Sequence, residues 1–197
     1  TTVRAILNMF DCMGLTTLLT APTGRAAKRM TELTGREAST VHRLLGAGYA
    51  EGSDIVFQKD EDQPLEGDAV IMDECSMVDI TLMAALLRAL PEECRLVLVG
   101  DADQLPSVGP GNVFRDIIRS GVVETVHLTE VFRQTSGSSI IRNAHMINRG
   151  EHPELTENRG DFFFMRRRDA AAAADTIVSL CRDRLPRNMG IPAQDIQ

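Results

Sequence analysis

The sequence is poor in aromatic residues and in cysteine. It has no tryptophan and one tyrosine, and aromatic residues make up 4% of its 197 residues. The four cysteines are scattered without a C-x-x-C pair, which argues against a zinc site and is typical of reduced thiols in a cytosol. No apolar run approaches the ~20 residues that a membrane span needs. We therefore expect a cytoplasmic globular protein with no membrane partner.

Charge is distributed unevenly along the chain. The formal net charge is −7, which is not typical of a nucleic-acid-binding protein. Residues 21–50, however, carry five Lys/Arg and two acids, whereas residues 51–75 carry nine acids and one Lys. This pattern is compatible with a protein that holds DNA on one face and a metal-bound nucleotide on another. It is equally compatible with ordinary charge scatter, so the pattern alone does not decide.

An apolar run at residues 69–72 leads directly into two adjacent carboxylates, Asp73 and Glu74. Such a run, bounded by polar turns, predicts a strand buried on both faces, as in a parallel sheet covered by helices. The acids then fall at the carboxyl end of the strand, where open α/β sheets bind their ligands. One carboxylate there can hold Mg²⁺ while its neighbour polarises an attacking water. The alternative is a strand followed by an acidic turn.

Strand and helix patterns alternate along the chain, which predicts an α/β fold with a parallel sheet flanked by helices. The predicted strands cover residues 15–21, 69–73, 95–99, 122–128, 162–165 and 193–197. The predicted helices cover residues 3–10, 25–33, 39–45, 79–90, 112–119, 138–148 and 169–185. Residues 46–68 are rich in Gly and acids, and we expect them to form a small hairpin or loop that projects from the sheet.

Five stretches resemble, in order and spacing, the motifs of RecD/TraA-type DNA helicases, which are superfamily 1B motors and include the RecD-like exodeoxyribonuclease V alpha subunits. The stretches are LTAPTGRAAK at 19–28, TVHRLL at 40–45, IMDECSM at 71–77, LVGDADQLP at 98–106 with VGPG at 108–111, and LTEVFRQ at 128–134. Each motif is weak alone, but together they are specific and cover nearly the whole chain. The resemblance implies a RecA-like P-loop NTPase fold and an ATP-dependent helicase that moves from 5′ to 3′ on single-stranded DNA.

The resemblance also implies roles at the nucleotide. Asp73 would hold Mg²⁺, and Glu74 would orient or deprotonate the attacking water. Gln104 would sense the γ-phosphate, and Arg133 would reach it as an arginine finger. Without the resemblance, Gln104 is a polar loop residue and Arg133 is a partner in a surface ion pair.

The first helix begins at the first residue with no capping sequence before it. In the family that the chain resembles, this helix follows a G-x-G-K loop, so Thr1 or Thr2 would bind ATP and supply the hydroxyl that ligates Mg²⁺. We therefore expect a fragment of a motor. Residues 1–128 would be a first RecA-like domain that lacks its phosphate loop, and residues 129–197 would be the start of a second RecA-like domain.

DNA contacts are implied by the first two motifs. The residues implied are Pro22, Thr23, Gly24, Arg25, Thr40 and His42. The first four offer backbone amides, a hydroxyl and a guanidinium to phosphates, and the last two can touch the backbone or stack under a base. The alternatives to DNA contact are a solvated helix face for Arg25 and a structural role for His42. The partners implied are single-stranded DNA, duplex junctions and other recombination subunits.

Two alternative functions stay open. The first is the helicase domain of a conjugative relaxase, which would have the same motor and a nuclease elsewhere. The second is a motor-like DNA-binding module without ATPase activity. The presence of Asp73, Glu74, Gln104 and Arg133 argues against the second.

Overall fold

The computed structural model describes residues 2–49, 55–128, 138–156 and 160–196. The chain divides into two compact units, Thr1–Leu128 and Thr129–Gln197. Among the described residues, no helix has both the length and the apolar character that crossing a bilayer requires.

The first unit alternates strands and helices. Its elements are α1 (Thr2–Cys12), β1 (Thr17–Ala21), α2 (Gly24–Thr34), β2 (Ala38–Thr40), α3 (Val41–Leu44), β3 (Gly48–Tyr49), β4 (Ile55–Val56), β5 (Ala69–Met72), a 3₁₀ turn (Cys75–Met77), α4 (Ile80–Ala89), β6 (Arg95–Leu98) and α5 (Val113–Ser120). The strands predicted within residues 15–21, 69–73 and 95–99 are confirmed with slightly shorter bounds.

Four parallel strands form the sheet of this unit, in the order β2-β1-β5-β6. The register places Thr20 opposite both Ser39 and Met72, and Met72 opposite Leu98. The parallel sheet that the alternating pattern predicted is therefore confirmed. Because all four strands run in one direction, their carboxyl ends lie along one edge of the sheet.

Helices cover both faces of the sheet, and β5 is fully buried between them. Successive side chains of a strand point to opposite faces. Ile71 accordingly packs with Leu7 of α1 and Met30 of α2, whereas Met72 belongs to a second cluster with residues of α3, α4 and α5. Full burial of a side chain such as Ile71 contributes about 1.5–3 kcal/mol. The apolar run before Asp73 is thus the centre of the unit.

Two of the strand predictions in the first unit need correction. Residues 122–128 form no strand, and Val122 and Val126 are 86% and 80% exposed. A strand needs a ladder partner, and in the described part of the chain no strand pairs with these residues. The strand at 95–99 was expected to be buried, but Arg95 is exposed and the rest of β6 is half-buried. The reason is that β6 lies at one edge of the four-stranded sheet.

The regular secondary structure described in the second unit is helical. It contains α6 (Ser139–Asn148), α7 (Ala170–Ser179), a π-helical turn (Leu180–Arg184), α8 (Leu185–Met189) and a 3₁₀ turn (Ala193–Asp195). The predicted helices at 138–148 and 169–185 are confirmed, but the strand predicted at 162–165 and the one predicted from 193 are wrong. Apolar and aromatic residues favour strands only where they pack on a sheet, and Phe163 is 64% exposed. That this unit begins a second RecA-like domain stays a prediction.

Candidate nucleotide and DNA site

Asp73 lies directly after β5, at the carboxyl edge of the sheet. Its backbone N–H donates to the Thr20 carbonyl at 3.0 Å, which extends the β1–β5 pairing by one residue beyond the strand. Its Oδ1 accepts a hydrogen bond from the backbone N–H of Glu74 at 2.8 Å. The backbone of Asp73 is thus held by the sheet. Both acids are half-buried, so their side chains retain contact with solvent.

Glu74 has a left-handed backbone, with φ 56° and ψ 39°. Among the described residues it is the one non-glycine residue with positive φ. This conformation costs an L-residue roughly 1–2 kcal/mol, and such strain concentrates at functional sites. It lets the chain turn sharply into the 3₁₀ turn, where the N–H of Met77 donates to the Glu74 carbonyl at 3.2 Å.

The residues after Glu74 form the buried floor of this turn. Cys75 is fully buried, and its Sγ donates to the Met72 carbonyl at 3.2 Å. Burial, with a smaller contribution from the charges of Asp73 and Glu74, raises the pKa of the Cys75 thiol to about 12. The thiol is therefore neutral and unreactive rather than a nucleophile. Ser76 is 7% exposed, and its Oγ has no hydrogen-bond partner among the residues that the structure describes.

The end of β6 is tied to this turn. The N–H of Cys75 donates to the Val99 carbonyl at 3.0 Å, and the N–H of Val99 donates to the Met72 carbonyl at 2.8 Å. Gly100 then passes very close to the turn. A Cβ at Gly100 would lie 3.0 Å from the backbone N of Cys75 and 3.1 Å from Cε1 of Phe114. Only glycine allows this close backbone approach.

Gln104 lies in the loop that follows. Its N–H donates to the Asp101 carbonyl at 3.2 Å, and Oδ1 of Asp101 accepts from the N–H of Asp103 at 2.9 Å. The Asp101 side chain thus closes a local turn, and Gln104 is exposed just beyond it. The structure therefore brings the loop of Gln104 to the same sheet edge as Asp73 and Glu74, on the neighbouring strand.

The oxygen donors at this edge fit a magnesium ion that arrives with a nucleotide. Mg²⁺ takes one or two carboxylates and completes its shell with water and phosphate oxygens. Asp73 supplies such a carboxylate, half-buried and with one oxygen held by a backbone N–H. In the described part of the chain, no group of three or more His, Cys, Asp or Glu is arranged to hold a metal ion. A single half-buried carboxylate of this kind suits an ion whose other ligands are water and phosphate oxygens.

The remaining residues predicted at the nucleotide are only partly described. Thr2 is exposed and begins α1, an 11-residue helix about 16 Å long at 1.5 Å per residue. Because the last turn of α1 joins the start of β1 and α1 packs on the sheet, the first turn of the helix, with Thr2, lies toward the opposite edge, which carries Asp73. Thr1 and Arg133 lie outside the described residues.

The first group of predicted DNA contacts lies where β1 passes into α2. Pro22 and Thr23 are half-buried, and Gly24 and Arg25 are exposed on the first turn of the helix. Thr23 is the N-cap of α2, and its Oγ1 accepts a hydrogen bond from the N–H of Ala26 at 3.2 Å. The hydroxyl proton of Thr23 is not used by this cap, so it can donate to an anionic oxygen.

The second group lies beside the first, because Thr40 is the register partner of Ala21. Thr40 ends β2 and caps α3, accepting from the N–H of Arg43 at 3.2 Å, so the helix predicted from residue 39 begins only at Val41. The ring of His42 packs 5.9 Å from the ring of Phe57, tilted by 45°. Nothing in the sequence pattern pointed to Phe57 as a neighbour of His42, because Phe57 lies inside the 46–68 segment, for which the pattern predicted only a hairpin or loop.

The model of the AAA domain family matches residues 1–110. The chain is 42% identical over 159 residues to the ATP-dependent RecD2 DNA helicase of Deinococcus radiodurans, covering 81% of this chain and 21% of the relative. It is also 42% identical over 116 residues to the RecBCD enzyme subunit RecD of Mycolicibacterium smegmatis, covering 51% of this chain and 21% of that subunit.

A solved structure has a similar fold. It is the Bacteroides Pif1 crystal structure with bound single-stranded DNA, with a TM-score of 0.51 and 21% identity, covering 87% of this chain and 48% of that one. The chain spans about a fifth of the length of the two curated relatives, 21% in each case. The RecA-like fold that the resemblance implied is confirmed by this likeness and by the parallel sheet. The resemblance to RecD-type superfamily 1B helicases is confirmed by the RecD2 and RecD relatives, and the chain belongs to the AAA domain family.

Proposed function

We propose that this chain is part of an ATP-dependent DNA helicase motor that moves from 5′ to 3′ on single-stranded DNA and unwinds duplexes. The observation that carries the proposal is the junction of two strand ends. The carboxylates after β5 and the Gln104 loop after β6 share one sheet edge and are tied by the Cys75–Val99 and Val99–Met72 hydrogen bonds. A motor needs this arrangement, because the groups that activate water and those that sense phosphate must move as one body.

The proposed chemistry assigns a separate task to each residue. Glu74 orients the attacking water and accepts its proton. Asp73 would hold Mg²⁺ through the water shell of the ion, together with a hydroxyl from Thr1 or Thr2. When bound, the ion would neutralise charge on the phosphates of ATP. Gln104 hydrogen-bonds the γ-phosphate, and Arg133 stabilises the charge that develops as the terminal phosphoryl group leaves.

The proposed DNA surface lies on the other pair of strands, β1 and β2. The first turn of α2 offers unpaired backbone N–H groups and the positive end of the helix dipole to a phosphate. Thr23 and Arg25 add a hydroxyl and a guanidinium, and Pro22 and Gly24 keep the backbone accessible. Thr40 and His42 lie one strand away and extend the contact along the backbone of the strand. Single-stranded DNA and duplex junctions are the partners that suit this surface.

We propose that the 46–68 segment is a pin that helps to split the duplex. Within it, β3 and β4 pair antiparallel. Its base is anchored on the DNA side, since the N–H groups of Gln58 and Lys59 donate to the Leu45 carbonyl at 3.0 and 3.1 Å. Ile55 and Val56 are half-exposed, at 51% and 50%, and present an apolar edge that can wedge against a terminal base pair. Deletion of the segment from the full-length protein should abolish unwinding but retain DNA-stimulated ATPase.

The proposal is tested on the full-length natural protein by measuring ATPase with and without single-stranded DNA. The test variant is Glu74→Gln, and the matched control is Glu93→Gln, an exposed acid in the turn before β6. We expect DNA to stimulate the wild type and the control, and Glu74→Gln to abolish turnover. A duplex with a 5′ overhang should be unwound in preference to one with a 3′ overhang. DNA binding without ATP turnover in the wild type would favour a binding module instead.

A further inference from the structure

The loop after β6 is held to the carboxylate turn at its far end as well as at its start. The N–H of Ile80, the first residue of α4, donates to the Pro110 carbonyl at 3.0 Å. At the near end, Gly100 lies against the backbone of Cys75. The segment from Glu74 to Ile80 and the loop from Gly100 to Pro110 therefore contact each other at both of their ends. Gln104 lies in the loop between these two contacts.

Gly109 makes the tightest contact of the far joint. A Cβ at Gly109 would lie 2.0 Å from Oδ2, 2.7 Å from Cγ and 2.8 Å from Cβ of Asp79. Gly109 is not among the glycines with positive φ, so the close approach and not the backbone conformation demands glycine. Asp79 cannot simply turn away, because its Oδ1 accepts the N–H of Leu82 at 2.8 Å as the N-cap of α4.

The loop is braced internally on the same side. The Oγ of Ser107 lies 3.1 Å from the carbonyl oxygens of both Gly109 and Gly111, so its one proton is shared between them. A Cβ at Gly111 would lie 3.4 Å from Cβ of Ile80, so this end of the loop also packs on α4. Residues 107–111 thus form a short rigid block seated on the start of α4.

We propose that Gly109 is a positioning residue for ATP hydrolysis. Its lack of a side chain lets the loop of Gln104 approach Asp79 closely, and so sets the separation of the phosphate sensor and the water-orienting carboxylate. This inference rests on the proposed function. Because a misplacement of about 1 Å at reacting groups costs on the order of a hundredfold in rate, a shift of the block lowers kcat. It leaves ATP affinity, which depends mainly on phosphate and base contacts elsewhere, nearly unchanged.

The test compares Gly109→Ala, Asp79→Gly and the double variant in the full-length protein. Gly109→Ala should lower the DNA-stimulated kcat by about tenfold or more, with the KM for ATP within about twofold of wild type. Asp79→Gly should have a small effect, because glycine is tolerated at an N-cap. In the double variant the new methyl group has room, so kcat should return to that of Asp79→Gly. If Gly109 were needed only for its backbone freedom, removing the Asp79 side chain would not restore kcat in the double variant.

A second pair of variants keeps the test decisive if Gly109→Ala does not fold. Ser107→Ala removes the brace without adding an atom and should lower kcat about threefold at constant KM. The matched control is Ser120→Ala, which removes a hydroxyl bonded to the Ile117 carbonyl at 2.7 Å at the end of α5. A wild-type kcat in Gly109→Ala, or in Ser107→Ala if the first variant does not fold, would overturn the inference. The same holds if KM and kcat change together, or if the double variant shows no rescue.

The outcomes for the two proposals can be told apart. If the wild type shows no DNA-stimulated ATPase, or Glu74→Gln retains it, the proposed function is wrong and the positioning role falls with it. If the wild type is active, Glu74→Gln is inactive and Gly109→Ala keeps the wild-type kcat, the function stands and only the positioning role is wrong.

Discussion

Replacing Gly100 by alanine tests whether the turn after β5 and the loop after β6 are packed as tightly as the geometry indicates. The added Cβ would lie 3.0 Å from the Cys75 nitrogen, 3.1 Å from Cε1 of Phe114 and 3.3 Å from the Ser76 nitrogen. Two of the three neighbours are backbone atoms. They cannot rotate away, and Cys75 is further held by its hydrogen bond to Val99. Phe114 is 8% exposed and has little room to move.

Overpacking of this kind typically costs about 1–3 kcal/mol, and we expect Gly100→Ala to lose that much stability. The assay is equilibrium unfolding in urea, in which a shift of the midpoint at constant slope reports a change in stability. Gly48→Ala is the matched control, because a Cβ there meets nothing within 4 Å and the residue is not among those with positive φ. If Gly100→Ala were as stable as Gly48→Ala, the close contact would not exist and the tie between the two strand ends would be refuted.

Three further predictions concern the cap of α2, the buried thiol and the second unit. Thr23→Ala removes the N-cap of α2 and should lower the free energy of unfolding in urea by about 0.5–2 kcal/mol. The same variant should bind single-stranded DNA more weakly in a fluorescence titration. The control is Thr34→Ala, at the other end of the same helix, which should leave DNA affinity unchanged. The pKa of the Cys75 thiol is raised from 9.0 to about 12, so the unfolded chain loses this proton at a lower pH than the folded chain. The contribution of Cys75 to the free energy of unfolding should therefore be constant below pH 9 and fall as pH rises toward 12. Cys75→Ala should flatten that part of the profile of stability against pH. Asn143→Ala should lower the free energy of unfolding by about 1–3 kcal/mol, because Asn143 is 2% exposed and its side chain bonds both the N–H and the carbonyl of Glu154, at 2.8 and 3.1 Å. A midpoint of urea unfolding equal to that of the wild type would contradict this.

Local sequence signals predicted the local features of the first unit well. The apolar run before Asp73 is buried at all four positions, because a central strand has no face open to water. Thr40 and Asp79, which cap α3 and α4, lie within one residue of the starts predicted for these helices, 39 and 79. These features depend on residues within four positions of one another, so the sequence pattern contains the information that they need.

Features that depend on distant partners could not be predicted in this way. Residues 122–128 have a strand-like composition but remain exposed, because composition does not supply a neighbouring strand. The contact of Gly109 with Asp79 joins residues that are far apart in the sequence. The left-handed backbone of Glu74 was also not predicted, because Glu has no intrinsic preference for that region and the turn is imposed by the packing around it.

The left-handed backbone of Glu74 has a consequence for directed evolution of this protein. Glycine enters that region without the steric cost that a glutamate bears, so Glu74→Gly would relieve the turn of roughly 1–2 kcal/mol. A library screened only for heat tolerance would accordingly enrich glycine at this position. Such a screen would select against the carboxylate that we propose to orient water, and the most heat-tolerant variants would lack ATPase activity.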